Sequence, residues 1–348
     1  MKYDICALGN ALVDTQYMVS YDFLESVGLE ADQMTLVSAE EQNEITKKLE
    51  ELGTESVSDC GGSATNSLVA SSSYGAECHH VCRVSKDDDG LRYLDSLKNA
   101  GVYHKGYSEE ELDLPTGKCL ILVTPDAKRT MVSMLGVSAC MSSIDLDLEA
   151  IANSKIFYIE GYMVTSDENF NAVLAVLEFL KDKDILKALS LSDPGIVMGF
   201  RDKFETIESY GIDMIFGNDD EAKAFTGKDN LDDAISALKE KPFTSVITTG
   251  AEGSVVIAEG NADHVPGEQI QPLDTNGAGD MFAGSFMYAY LQEMPLASCA
   301  KFSNYAASKV VETFGPRLSM DGYLACLLYT SDAADEGLGV DLGGRRII

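Results

Sequence analysis

Asp274-Thr275-Asn276-Gly277-Ala278-Gly279-Asp280-Met281-Phe282-Ala283-Gly284 runs directly into Ser285-Phe286-Met287-Tyr288-Ala289-Tyr290-Leu291, a glycine-rich turn opening an apolar helix. The first N–H groups of a helix lack partners within it, and the positive end of the helix dipole stands behind them. Such a turn is an anion pocket. Gly277 and Gly279 carry no Cβ, so the backbone can approach a phosphate closely. Asp280 adds a carboxylate in the first helical turn, where a phosphoryl group would arrive and where it can accept a proton from an attacking hydroxyl. The helix end is expected to keep that acid ionised. Taken singly, an Asp at a helix start and a bare Gly-x-Gly are common capping features. Two other readings of the glycines fail on spacing. A dinucleotide fingerprint needs a third Gly where Phe282 stands, and no Gly-x4-Gly-Lys-Ser/Thr occurs.

The remainder of the chain narrows the class. Its 348 residues hold 26 Lys and Arg against 57 Asp and Glu, a formal net charge of −31, and 45% are apolar. That apolar share supports a folded core, and the charge argues against nucleic acid or an anionic membrane as partner. No uninterrupted apolar run is long enough to span a bilayer. The apolar start Ile5-Cys6-Ala7-Leu8 meets Gly9-Asn10 before a signal-peptide core forms, so a cytoplasmic location is expected. Eight scattered cysteines (Cys6, Cys60, Cys78, Cys82, Cys119, Cys140, Cys299, Cys326) read as small buried hydrophobes in a reducing compartment. Cys78-His79-His80-Val81-Cys82 offers zinc-binding atoms, but alternate residues of a strand face opposite ways and no second pair stands at a convincing spacing.

Apolar runs bounded by turn residues alternate with amphipathic stretches. Strands are expected over 3–8, 56–59, 78–84, 155–160, 187–191, 212–216, 244–249 and 253–258. Helices are expected over 40–52, 63–74, 88–99, 168–182, 219–226, 231–240, 278–291 and 295–313. This rhythm predicts an α/β fold with a mainly parallel central sheet and helices on both faces. Segments 12–38 and 115–135 break it with strand-like alternation and no helix between, and read as a small β lid over the strand ends. From Cys326 onward the sequence shows neither period. It resembles a sequencing-adapter oligonucleotide translated in one frame, so residues 1–325 are read as one domain and 326–348 as a disordered, non-native tail.

Asp274-Thr275-Asn276-Gly277-Ala278-Gly279-Asp280 resembles the C-terminal signature of the ribokinase/PfkB family of sugar and nucleoside kinases. A second signature of that family, a Gly-Gly followed by Asn on the next helix, is matched by Gly61-Gly62-Ser63-Ala64-Thr65-Asn66-Ser67-Leu68. The resemblance spans residues 3 to about 322 and implies a ribokinase-like fold. It implies that Asp280 is the catalytic base beside the amides of Asn276, Gly277, Ala278 and Gly279. It further implies that Asp14, Gly61, Gly62 and Asn66 hold the acceptor's hydroxyls. Gly217-Asn218-Asp219-Asp220-Glu221 resembles the family's Asn-x-x-Glu element, in which Asn218 and Glu221 would place Mg²⁺ and its waters. Thr248, Gly250 and Gly253, in a strand-turn-strand, match positions that hold nucleotide phosphate and ribose, and Asn304 matches one lining the adenine pocket. Arg129 stands in the lid arm, where the resemblance implies a lid or phosphate contact; on the residues alone it reads as an exposed strand arginine. The chain departs from the pattern at Arg83-Val84-Ser85-Lys86-Asp87-Asp88-Asp89-Gly90, which lacks a Gly before the Asp-x-x-Gly element.

Asn276, Gly61-Gly62-Ser63, Phe157-Tyr158-Ile159-Glu160-Gly161-Tyr162, Leu191-Ser192-Asp193-Pro194 and Tyr305-Ala306-Ala307-Ser308 lean towards the adenosine kinase branch, with Tyr162 as an aromatic platform for a purine. The resemblance thus implies ATP-dependent transfer to a primary hydroxyl, adenosine to AMP in the first instance. A sugar kinase of the same family is the alternative, and a non-catalytic nucleoside or sugar sensor the third reading. ATP and Mg²⁺ are the implied cofactors; a monovalent cation, and the choice between monomer and homodimer, stay open.

Overall fold

The computed structural model describes residues 3–31, 33–126 and 128–338. Its strands in chain order are β1 (Tyr3–Leu8), β2 (Leu12–Met18), β3 (Met34–Leu36), β4 (Ser56–Gly61), β5 (Cys78–Val81), β6 (Val102–His104), β7 (Gly117–Val123) and β8 (Arg129–Met134). They continue with β9 (Ser154–Ile159), β10 (Leu186–Ser190), β11 (Met214–Asn218), β12 (Thr244–Thr248), β13 (Gly253–Ala258) and β14 (Asn261–Pro266). Nine strands form the main sheet in the order β14-β13-β12-β11-β10-β9-β1-β5-β6. From β12 to β6 all neighbours are parallel, and the β13–β14 hairpin adds an antiparallel edge. The expected α/β architecture is therefore observed.

Burial on both faces explains the continuous apolar runs. Along β1, Ile5 and Ala7 face one core while Cys6 and Leu8 face the other. On β9, Ile156 and Tyr158 join the first core, Phe157 and Ile159 the second. Helices Ser63–Ser73, Ala278–Leu291 and Leu296–Val311 cover the first face, and Asp167–Leu180 covers the second. All eight cysteines are free thiols, and six of them are buried. His80 points inward, where its Nε2 lies 3.0 Å from Thr65 Oγ1 and burial pushes its pKa down to about 3.

The lid is a second, five-stranded sheet in the order β3-β8-β7-β2-β4. Its alternation has a clear purpose. Leu120, Leu122 and Val132 pack under helices Tyr21–Ser26 and Ala39–Glu51, whereas Cys119, Ile121, Leu12 and Met131 cover the opposite face. Ala39–Glu51 starts at a capping box, Ser38 with Glu41, in which each residue satisfies an orphan amide of the other.

Several expectations need correction. A short helix, Tyr21–Ser26, lies within 12–38, started by Ser20 accepting from the Phe23 N–H at 3.2 Å. β4 belongs to the lid, paired antiparallel with β2, because its partners come from far along the chain. The short strands β6 and β14 and helices Leu148–Ala152, Pro194–Gly199 and Arg201–Ser209 extend the expected element list. Asp87 in the departing loop is an N-cap, accepting from Gly90 N–H at 2.7 Å, while Arg83 is fully buried against Asp145 and Glu110. Helix Met320–Leu338 runs past the expected boundary at 325. Tyr323 and Cys326, one helical turn apart, pack against the core at Tyr74, and Tyr329 stacks on Tyr305 with ring centroids 3.8 Å apart. The remainder of the expected tail, residues 339–348, lies outside the described residues.

Candidate active site

The chain leaves β1 for β5 on one side and later returns to β9 on the other, so the β1–β9 junction is the topological switch point. Ligands in open parallel sheets bind beyond the carboxyl ends of the strands at such a junction. Here the ends of β1, β9, β10 and β11, with the apolar face of the lid above them, enclose a cleft of about 510 Å³. Asn10 follows β1 and Glu160 follows β9. Glu160 Oε1 accepts from Asn10 N–H (3.3 Å) and Asn10 Nδ2 (2.9 Å), and Oε2 from Ala64 N–H (2.9 Å). These bonds favour the ionised form, yet burial wins and pushes Glu160 up to about 7.

Asp14, Gly62, Asn66 and Tyr162 line this cleft. Burial raises Asp14 to about 7, opposed by the Arg317 guanidinium and reinforced by Asp280, Asp59 and Glu160. Gly61 lies under Asp14, and any Cβ there would strike the carboxylate, so the first glycine makes room for the protein's own acid. Gly62 stands at the N-cap of Ser63–Ser73 with φ 98°, and a Cβ would run into the Asn10 carbonyl. The Asn66 amide is engaged at both ends: Nδ2 donates to Asp280 Oδ2 at 2.9 Å, and Oδ1 accepts from Arg317 Nε at 3.0 Å. Tyr162 donates from its hydroxyl to the Ser192 carbonyl at 3.3 Å.

Asp280 also lines the cleft, and Ser63 Oγ donates to its Oδ1 at 2.6 Å. Burial raises its pKa; the bonds from Ser63 and Asn66 and the charge of Arg317 pull the other way. Of these influences desolvation is the largest. The anion turn is also narrower than expected. The Asn276 N–H donates to Asp274 Oδ1 at 2.9 Å and the Ala278 N–H reaches the Thr275 carbonyl at 3.3 Å. Among the described residues, the Gly277 and Gly279 N–H groups make no bond to a backbone carbonyl outside the helix. Gly277 is left-handed (φ 74°) with Pro316 pressed beneath it, whereas a Cβ on Gly279 would meet nothing within 4 Å. The protein needs the first glycine for its own turn; the second leaves space for something else.

Buried Asp274 anchors this turn, also accepting from the Gly315 N–H at 2.9 Å and pairing with Arg129 of β8. Arg129 Nη1 donates to Thr275 Oγ1 at 3.3 Å, so the lid is tied to the turn. A second cleft of about 290 Å³ lies on the other side, lined by Thr248, Gly250, Gly253, Phe282, Asn304 and Val311. Asn304 fixes the β14 edge by donating from Nδ2 to Val265 O (3.0 Å) and Pro266 O (3.3 Å). Thr275, Ala278 and Gly279 line both clefts, so the mouth of helix Ala278–Leu291 stands between them.

Asn218 and Glu221 form a capping box at the start of helix Asp219–Thr226, with Nδ2 to Oε1 at 2.7 Å and the Glu221 N–H to Asn218 Oδ1 at 2.8 Å. Burial pushes Glu221 up to about 8. Both line the first cleft, and no cluster of three or more metal-ligating side chains occurs among the described residues. One carboxylate and one amide fit a cation that keeps most of its waters and takes further oxygens from phosphate. The sequence reading missed Ser63, Asp274 and Arg317 as site residues and gave Glu160 no role. Glu160 carried a signal, an acid ending an apolar strand at the switch point; Arg317 carried none.

The charge of Glu160 yields a signed prediction. Its folded pKa lies above the ordinary carboxylate value, so between about pH 4 and 7 the folded state holds the extra proton and this stability is lost as pH rises. Glu160→Gln is expected to cost less thermal stability relative to wild type at pH 8 than at pH 5. Melting curves at the two pH values check this, and an equal cost at both contradicts it.

A model of the pfkB family carbohydrate kinases matches residues 23–321. The chain is 29% identical over 338 residues to the adenosine kinase of Saccharomyces cerevisiae, covering 91% of this chain and 97% of that protein. The crystal structure of a probable sugar kinase from Rhizobium etli CFN 42 superposes with a TM-score of 0.87 at 25% identity, over 94% of this chain and 99% of that one. The adenosine kinase of Sinorhizobium meliloti does so with a TM-score of 0.86 at 28% identity, over 94% and 100%. An anion turn between two clefts, an acid at its mouth and a match over most of the sequence agree: the chain belongs to the pfkB family of carbohydrate kinases.

Proposed function

We propose that the chain transfers the γ-phosphoryl group of ATP to the primary hydroxyl of a nucleoside, with adenosine as the preferred acceptor. One observation carries the reading. Asp280, bonded to Ser63 and Asn66, stands at a helix mouth that two clefts share. ATP occupies the cleft at Thr248, Gly250, Gly253 and Asn304, and the acceptor occupies the cleft at Asp14, Gly62 and Glu160. Asp280 takes the hydroxyl proton as the oxygen attacks; its raised pKa brings it closer to neutral pH, where a base transfers protons best. The Gly277 and Gly279 amides stabilise charge on the group in flight. Glu221 and Asn218 would hold Mg²⁺ through its waters, and that ion, when bound, offsets phosphate charge. The lid excludes water that would otherwise compete as acceptor.

The choice of a nucleoside rests on the lid. Leu12, Cys119, Ile121, Met131 and Leu135 present an apolar wall to the acceptor cleft beside Asp14, which stands on the same lid sheet in register with Cys119, and Tyr162 lines the cleft as well. A flat base gains by burial there, whereas a free sugar would leave its hydroxyls without partners. Similarity to a probable sugar kinase keeps the sugar acceptor as the second reading.

ADP release from Mg-ATP, followed with adenosine, ribose or fructose supplied separately, tests the proposal. Adenosine is expected to give the highest kcat/KM. A preference for ribose or fructose favours the sugar reading, and no acceptor-dependent release contradicts both. In the same assay Asp280→Asn is expected to fold and lose on the order of 10²–10⁴ in turnover, the span of a general base; near-normal turnover refutes that role. Asp14→Ala is expected to raise KM for the acceptor and leave KM for ATP unchanged, and equal losses for the two substrates count against its assignment.

A further inference from the structure

Arg317 closes the turn Gly315-Pro316-Arg317 after helix Leu296–Val311 and belongs to none of the motifs above. The turn is built into the site from both sides. The Gly315 N–H holds Asp274, and Pro316 lies under Gly277. From there the guanidinium crosses to the elements that carry the acceptor site. It donates from Nε to Asn66 Oδ1 at 3.0 Å, from Nη1 to Ser96 Oγ at 3.3 Å and from Nη2 to the Cys60 carbonyl. Among the described residues it forms no ion pair with a carboxylate at contact distance.

A guanidinium has five donors and no acceptor. The oxygen of the buried Asn66 amide must therefore face Arg317, which leaves only the nitrogen to face Asp280, where it donates at 2.9 Å. With Ser63 on the other oxygen, each carboxylate oxygen of Asp280 receives one protein donor and its rotation is fixed. If Arg317 were absent, the Asn66 oxygen would lose its donor and the amide would be held at its nitrogen end alone, so Asn66 and the Asp280 carboxylate it bonds could move together. Asp14, the Cys60 thiol and the Tyr93 and Tyr323 hydroxyls also face this cation.

We propose that Arg317 is a positioning residue for phosphoryl transfer: by locking the Asn66 amide in one orientation, it holds the Asp280 carboxylate aimed at the acceptor hydroxyl. The inference rests on the reading of Asp280 as the base. It acts through Asn66 and touches neither Thr248 nor Asn304, so its effect belongs to the chemical step and the acceptor side.

A double-mutant cycle tests it. Arg317→Met is expected to lower kcat on the order of 10- to 100-fold, the span of one charged hydrogen bond, with KM for ATP unchanged. In an Asn66→Ala background the same substitution is expected to cost little more, because the path through the amide is already cut. Equal fold-losses in both backgrounds mean that Arg317 acts through its charge or the fold and not through the Asn66 amide, and overturn the proposal. Asn66→Asp serves where Arg317→Met does not fold. It leaves Arg317 an acceptor but removes the N–H offered to Asp280, so kcat is expected to fall; an unchanged kcat overturns the proposal as well. Asp280→Asn run in parallel separates the two claims. Normal turnover in that variant defeats the base assignment, whereas an inactive Asp280→Asn beside additive Arg317 effects defeats the relay alone.

Discussion

The start of helix Ala278–Leu291 carries amides that need an anion, and the fold spends many distant residues on holding that start open between two clefts. Asp274 ties down the Asn276 and Gly315 amides, Pro316 forces Gly277 to remain a glycine, and Arg129 brings the lid to the same turn. Helix Ser63–Ser73 packs alongside so closely that a Cβ on Gly284 would strike the Ser67 carbonyl, and this contact delivers Ser63 and Asn66 to Asp280. The turn at Gly277–Gly279, Asp280 and the Gly61-Gly62 turn are thus held together by packing and hydrogen bonds.

Electrostatics sets the second constraint. Asp14, Glu160, Glu221 and Asp280 share one cleft, and burial raises the pKa of all four. A polyphosphate entering this acidic site needs positive charge; Lys128, Arg129 and the helix end border the cleft, and Arg317 lies behind Asn66. On the proposed reading, a divalent cation held by Glu221 and Asn218 would supply the remainder. The placement of cations is therefore more informative than their number, and Arg317 reaches Asn66, which bonds one oxygen of Asp280.

Much of the fold was legible because local pattern determined it. The runs at Ile5–Leu8 and Ile156–Ile159 are apolar throughout because both faces of the parallel sheet are covered. The alternation in Cys119–Val123 betrays a sheet with one face under helices and the other over a cleft. The glycine turn and Asp280 at the start of an apolar helix were legible from the local pattern. Features set by long-range partners were not. Nothing in Ser56–Gly61 says that it pairs with Leu12–Tyr17, and nothing near Arg317 says that it meets Asn66. Asn66 was read as a donor and acceptor for hydroxyls, since the groups that saturate it come from 214 and 251 residues away. Tyr323 and Cys326 were passed over because a single buried turn is too short to establish a period.

A crystal structure with a non-hydrolysable ATP analogue and adenosine both bound is the most direct measurement of the central claim. The account predicts the terminal phosphate within hydrogen-bond distance of the Gly277 and Gly279 amides and the primary hydroxyl in contact with an Asp280 carboxylate oxygen. A terminal phosphate seated away from that turn, or a hydroxyl beyond the reach of Asp280, would contradict it.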